Sequence, residues 1–439
     1  MIPPKPQSRA GRVSLWKYWK LFRQDILSAQ PERLYRAKMA EFRTPFFRSL
    51  MINEPELIEG VLHGSPKAYP KSRRVTSGLR VLLGQSVFVT NGDQWAAQRR
   101  IIDPAFEGGR VREVFPSMVE TAQSALERLE EGDLDVEAWA SHVTADVIFR
   151  ALFSVPIEDE LAAETFRAFK TFQREQPVAT TSALIPWLPP FHRRATRDAA
   201  RSLRQAVQEL VRRREKEIEA DNAPDDLATK IMTTPDPETG KTFSPKEMVD
   251  QVMIFFLAGH ETSAALLSWA VWLLAASPKW GEAVAEEGRV FWEGPDFSEL
   301  SKMKITRNVL RETLRLYPPV PMMVREATTD GEMRKRPVRV GDQIVISPWH
   351  LHRNDRYWSS PDAFDPSRWD EGGTRDAFLP FSQGPRVCPG AGFAMVEATV
   401  LLSALLAHYE AEVKDAPIPV AHLTVRSKDG IFLRIQRRS

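Results

Sequence analysis

A single cysteine, Cys388, occurs in the 439 residues, and it stands in the run Phe381-Ser-Gln-Gly384-Pro-Arg386-Val-Cys388-Pro-Gly390. One thiol cannot close an internal disulfide, so any chemistry here belongs to its thiolate, a nucleophile and soft metal ligand. A thiolate needs positive potential and backbone donors to stay ionised, and a helix N-terminus supplies both. Pro389 suits the first helical position and Cys388 falls where the cap would sit; Ala391, Phe393, Val396 and Leu401 then carry the helix inward. The bland alternative is a buried thiol serving as a small hydrophobe. Its neighbours argue otherwise: Gly384 and Gly390 let backbone approach a bulky flat partner, Pro385 and Pro389 stiffen the turn, and Arg386 brings a permanent cation to an anionic group.

Three other constellations could support chemistry or hold it in place. Ala258-Gly-His-Glu261-Thr262 lies in the middle of a long apolar stretch, where glycine costs about 1 kcal/mol relative to alanine and so needs a reason: a flat ligand nearby or a local distortion. Thr262 can bond back to a carbonyl one turn earlier, or to a ligand where the helix opens. Glu312 and Arg315, three apart, share a helical face crowded by leucines. Trp95 and Arg99, four apart, place an indole donor and a guanidinium where they can grip a carboxylate. His260 has no second histidine at zinc spacing, and a structural role is expected for it.

The loop around Cys388 resembles the haem-binding loop of the cytochrome P450 family: Phe, two residues, Gly, one residue, Arg, one residue, Cys, one residue, Gly, with every fixed position met. The resemblance implies haem b (iron protoporphyrin IX), with Cys388 as the proximal ligand to iron and Phe381 packed beside the sulfur. An electron-rich thiolate ligand favours O–O cleavage. Gly384 and Gly390 would shape the loop, and Arg386 would pair with a haem propionate. Trp95 and Arg99 would hold a propionate, as would Arg325. Ala258, Glu261 and Thr262 match the oxygen-activation segment: Ala258 as the small residue over the cofactor, Glu261 and Thr262 as the acid and alcohol that deliver protons. Glu312, Arg315 and Arg368, the last in Phe364-Asp-Pro-Ser-Arg-Trp369, would form a buried network behind the cysteine loop. Departures are mild: Ser382 follows the Phe where Gly is frequent, Glu261 stands where Asp is commoner, and Trp95 stands where many soluble bacterial members have His.

The elements that must position these groups are mostly helical. Periodicity predicts helices over Gly92–Ile102, Val111–Glu130, Val136–Ser154, Asp159–Phe172, His192–Ala220 and Asp225–Met232. Ser244-Pro-Lys-Glu247 carries a cap, a proline at the first helical position and an acid at the third, so a helix starts there and runs to about Ser277, roughly 48 Å at 1.5 Å per residue. It is apolar on nearly every side and should cross the interior. Strands are expected over 45–53, ahead of a short helix from Pro55 to Leu62, and around Val338–Val340, Gln343–Ser347 and Leu423–Arg434. The fold class expected is mostly α with small β-sheets (α+β), the triangular arrangement of that family. It would form one catalytic unit over 1–439, with a smaller β-containing lobe at about 40–65 and 320–350 and a larger helical lobe.

Sixty basic against 58 acidic residues leave a formal charge of +2, which argues against nucleic acid as a partner. The amino end is polar and charge-interrupted, so no membrane anchor is expected, and a cytoplasmic monomer is the reading. Together these features predict a haem-thiolate monooxygenase that inserts one atom of dioxygen into a hydrophobic small molecule. No GxGxxG or P-loop pattern provides an internal reductase, which implies a separate ferredoxin and ferredoxin reductase. Arg100, beside Arg99, is expected to face solvent and help dock an acidic electron donor. A peroxide-driven peroxygenase, a haem-based gas sensor and a cofactor-free scaffold are the rivals. Val75–Val89, Ile185–Phe191, Val320–Val324 and Ser427–Ile431 are expected to line or lid the substrate pocket.

Overall fold

The structure is a computed structural model that describes residues 1–438 apart from 45, 65, 108 and 176–191. It is mostly helical with small sheets, as expected. The central helix runs Pro245–Ala275, and its start is fixed by both halves of a capping box between Ser244 and Glu247. Its flanks are buried almost throughout, including Leu266, Trp269, Val271 and Leu274. Burial of side chains of this size stabilises by roughly 1.5–3 kcal/mol each before conformational entropy is charged against it.

Around it pack the helices Val136–Phe153, Arg194–Glu219 and Ala391–His408. Gly259 is explained by this packing and not by a ligand: a Cβ there would fall 2.5 Å from Ile148 Cδ1 on the helix Val136–Phe153. The central helix and Ala391–His408 are both long and apolar enough to cross a membrane, and both are mostly buried in the fold. A protein core asks for the same composition as a bilayer.

A four-stranded sheet forms a second, smaller core. Its order is Met39–Arg43, Arg48–Ile52, Gln343–Ile346, Met323–Glu326; the middle pair is parallel and the outer pairs antiparallel. Leu50, Ile52, Ile344 and Ile346 face Ile58 and Val61 of the helix Pro55–Leu62. The first strand has no counterpart among the expected elements, and the second begins at Arg48. The stretch expected as one strand over Leu423–Arg434 is two. Val425–Ser427 pairs with Pro419–Ala421, and Phe432–Arg437 with Gly132–Asp135 and Tyr409–Val413. The turn at Lys428-Asp-Gly430, with Gly430 at positive φ, separates them.

Candidate active site

Between His352 and Cys388 the chain makes only short turns and 3-10 segments, so something other than regular hydrogen bonding must hold it. That something is an ion network with a wholly buried centre, Glu312 and Arg315. Arg315 donates Nε and Nη2 to the two Glu312 oxygens at 2.9 and 2.8 Å. Its Nη1 reaches the carbonyls of His352 and Pro361, at 2.8 and 2.6 Å, and Nη2 that of Ala363 at 2.8 Å. Arg368 Nε, Trp369 Nε1 and the Asp365 amide complete the Glu312 carboxylate. The irregular segment is thereby bound to the helix Lys304–Leu316 as the sequence predicts.

The cysteine loop closes on itself through the Cys388 amide, which donates to the Phe381 carbonyl at 3.0 Å. Arg99 pins it from the helix Gly92–Ile102, donating Nη1 to the Val387 carbonyl at 2.9 Å. Gly384 has a φ of +71°, and a Cβ there would strike the Leu62 carbonyl; its role is to pack the loop on the helix Pro55–Leu62. At Gly390 an added Cβ would meet nothing within 4 Å, so this side of the loop is open. Phe381 is half-buried against the main core.

Two expectations are corrected here. The helix after the loop runs Ala391–His408 with Gly390 as its cap, so Cys388 lies two residues before the cap and not on it. Burial pushes the thiol up, outweighing the opposing Gly390 backbone contact and Arg99. Cys388 is nevertheless an exposed residue, and the Gly390 side of its loop is open. Such a thiol ionises when it meets a metal rather than in advance of one.

Beside the loop lies a cluster of cations. Arg386 stacks on the buried Trp95, 4.8 Å from the ring centre, and donates to the carbonyls of Pro66 and Tyr69. Arg325 is buried, with one backbone bond to Val324. Lys71 donates Nζ to the Val87 carbonyl at 2.6 Å and is drawn down to about 6 by burial, with Arg386, Arg325 and Arg99 adding repulsion. The Nε atoms of Arg325 and Arg386 are buried without partners among the described residues. Arg99 also forms an ion pair with Asp103, at 2.7 Å. The cluster is thus short of negative charge in a low-dielectric place, which fits a ligand carrying two carboxylates, and haem carries two propionates. Lys71 had no signal in the sequence: it belongs to the basic run Lys71-Ser-Arg73-Arg74, and only folding brings it to Arg325 and Arg386.

The central helix presents Ala258, Glu261 and Thr262 to one cavity of about 420 Å³. The Thr262 hydroxyl donates back to the Ala258 carbonyl, the first of its two expected states. Glu261 is held by Thr424 Oγ1 at 2.7 Å and Arg426 Nη2 at 2.8 Å, from the hairpin 419–427. Neither partner is detectable from local spacing. The cavity is walled by apolar residues from two of the expected segments: Val75, Leu79 and Phe88, then Val320, Met322 and Val324. Ser427–Ile431 is not among its walls: Ser427 binds Glu137 and Ile431 is in the core, so Leu423 and Thr424 serve instead. Ile185–Phe191 lies outside the described residues.

His260 is structural, buried against Phe256 and Phe169 with Ser141 Oγ at 2.9 Å. Arg100 is not free for docking: it binds Asp236 through two nitrogens, at 2.6 and 2.9 Å.

Next to Thr262, Ser263 donates to Glu397 on the helix that follows the cysteine, at 2.6 Å, while Glu397 Oε1 has no partner among the described residues. Burial lifts the Glu397 carboxyl from 4.5 to about 8, against a smaller lowering by Ser263. With the folded value above the unfolded one, stability is full below about pH 4.5 and falls as pH rises toward 8, where the folded form must also ionise. Glu397→Gln, isosteric and uncharged, is expected to flatten that decline. Chemical-denaturation midpoints of both proteins between about pH 5 and 8.5, the span between the two values, check it, and parallel curves would refute the assignment.

Residues 35–433 match the family model described as Cytochrome P450. Among curated relatives, the chain is 31% identical to cyclooctat-9-en-7-ol 5-monooxygenase of Streptomyces melanosporofaciens, over 84% of this chain and 82% of that one. It is 31% identical to a cytokinin hydroxylase of Arabidopsis thaliana (87% and 78% covered) and 29% identical to 11-oxo-beta-amyrin 30-oxidase of Glycyrrhiza uralensis (87% and 77%).

Proposed function

The chain belongs to the cytochrome P450 family, and we propose on that footing that it inserts one oxygen atom from dioxygen into an unactivated C–H bond of a hydrophobic molecule, with electrons from a ferredoxin and its reductase. As a family member it is a haem-containing monooxygenase that receives electrons from redox partners and binds hydrophobic substrates. The observation that carries the finer reading is that Glu261 and Thr262 open onto the same largely apolar cavity, on the helix that packs against the one following the cysteine loop.

In this reading Cys388 would bind the haem iron, and Arg386, Arg325, Lys71, Trp95 and Arg99 would hold the propionate edge. The haem supplies oxygen binding and the electron-rich centre that favours O–O cleavage. The protein supplies the rest. Gly390 leaves room for the flat group, and Ala258 keeps the helix wall low on the other side. Thr262 would give up its bond to the Ala258 carbonyl to donate its hydroxyl proton into the cavity, and Glu261 would return a proton to it from the solvent side, where Arg426 is partly exposed. The apolar walls exclude bulk water from the reacting carbon.

Labelled dioxygen tests this directly. With ferredoxin, reductase and a nicotinamide donor, the product alcohol is expected to carry one ¹⁸O from ¹⁸O₂, and Thr262→Ala is expected to divert most reducing equivalents to peroxide. Equal turnover from hydrogen peroxide alone, unaffected by Thr262→Ala, would favour the peroxygenase instead. We also propose a cytoplasmic monomer, supported by the burial of both long apolar helices within the fold.

A further inference from the structure

We infer that the substrate carries an anionic group, most simply a carboxylate on a hydrocarbon body, and that Arg74 is the residue that binds it. This rests on the cavity being the substrate site and adds the substrate class. Arg74 stands in the first turn of the helix Arg73–Leu83 and lines that cavity. Its guanidinium lies 4.0 Å from the centre of the Phe47 ring, and among the described residues no carboxylate forms an ion pair with it. Its Nη1 is buried and has no hydrogen-bond partner among those residues. Glu326 is the acid that acts on it, from a distance, and that carboxylate accepts the Arg73 amide instead.

The charge balance of the cavity wall points the same way. Arg9 also lines it, with its donors on the carbonyls of Ala29 and Gly11. Arg43 is paired with Glu41. Glu261, the acid of this wall, is taken by Arg426 and Thr424. Among the described residues, Arg9 and Arg74 therefore line a largely apolar cavity with no carboxylate paired to either. A cation in such surroundings is costly unless an anion meets it, and a planar fork suits a carboxylate through two parallel bonds. Val75 and Phe88 beside Arg74 are exposed, whereas Leu257 and Ile254 near Thr262 are buried, so Arg74 sits toward the solvent-facing rim. A head group held at the rim directs the hydrocarbon body inward, and oxidation falls on carbons away from the carboxylate.

Spectral titration of the haem protein with dodecanoate and dodecan-1-ol, equal in length and differing in charge, tests this. The parent protein should bind dodecanoate at least about tenfold more tightly than the alcohol, the size expected for one charge-assisted hydrogen bond. Arg74→Gln should abolish that preference while leaving the alcohol constant unchanged, and Arg74→Lys should keep part of it. Equal binding of acid and alcohol by the parent overturns the inference, as does equal weakening of both by Arg74→Gln or a failure to bind dodecanoate at all. These outcomes are separable from failure of the broader reading, which would appear first as a protein without the haem absorption band.

Discussion

The substitution Cys388→Ser is expected to remove turnover by roughly three orders of magnitude or more, as when a residue on which a whole catalytic unit depends is lost. The strongly red-shifted ferrous–carbonyl band should vanish with it. The substitution changes one atom, and Cys388 makes its loop contact through backbone, the amide donating to the Phe381 carbonyl. Fold and melting temperature should therefore stay close to the parent's. What goes is the soft, ionisable donor: a serine hydroxyl has no accessible anion near neutral pH, whereas the cysteine thiol ionises once a metal meets it. Carbon monoxide difference spectra, haem content and circular dichroism on the same preparation separate loss of the ligand from loss of the fold. A Cys388→Ser protein that binds haem and retains the red-shifted band would show that the ligand is another atom.

Replacing Glu312 by alanine is expected to cost about 3–5 kcal/mol, the penalty for leaving a buried partner charge uncompensated. Arg315 is wholly buried and would keep its carbonyl bonds to His352, Pro361 and Ala363 while losing the carboxylate, and Arg368, Trp369 and the Asp365 amide would lose their acceptor as well. Since total stabilities are about 5–15 kcal/mol, a large share would go at once. The irregular segment leading to the cysteine should loosen first, so haem retention should fall before the helices melt. Denaturant midpoints with haem release followed in parallel read both quantities. Glu312→Gln keeps the shape and part of the hydrogen bonding, so it should fall between parent and alanine variant. An alanine variant within about 1 kcal/mol of the parent would mean that the network is not what holds the segment.

Local signals in the chain were sufficient for much of this molecule. Ser244, Pro245 and Glu247 placed the start of the central helix, since a cap, a fixed φ and a returning carboxylate act within four residues. The turn chemistry of Phe381–Gly390 marked the cysteine loop, and the spacings of Trp95 with Arg99 and Glu312 with Arg315 put each pair on one face. Where a second segment decides the outcome, local reading went astray. Gly259 suggested a flat ligand or a local distortion, because the Ile148 side chain that fills its place comes from a helix more than a hundred residues earlier. Arg100 looked free because Asp236 belongs to a distant loop.

What the sequence alone determined is the chemical kit: one thiol, an acid and an alcohol side by side, scattered cations, and helices with known starts. These follow from residue types and from interactions closed within a turn or two of chain. Only the tertiary structure decided which charges are balanced. It brought Lys71, Arg325 and Arg386 together, gave Glu261 to Arg426 and Thr424, and left Arg74 in the cavity wall with no carboxylate among the described residues paired to it. Electrostatic compensation depends on distance and burial, and neither exists until segments far apart in the chain have packed.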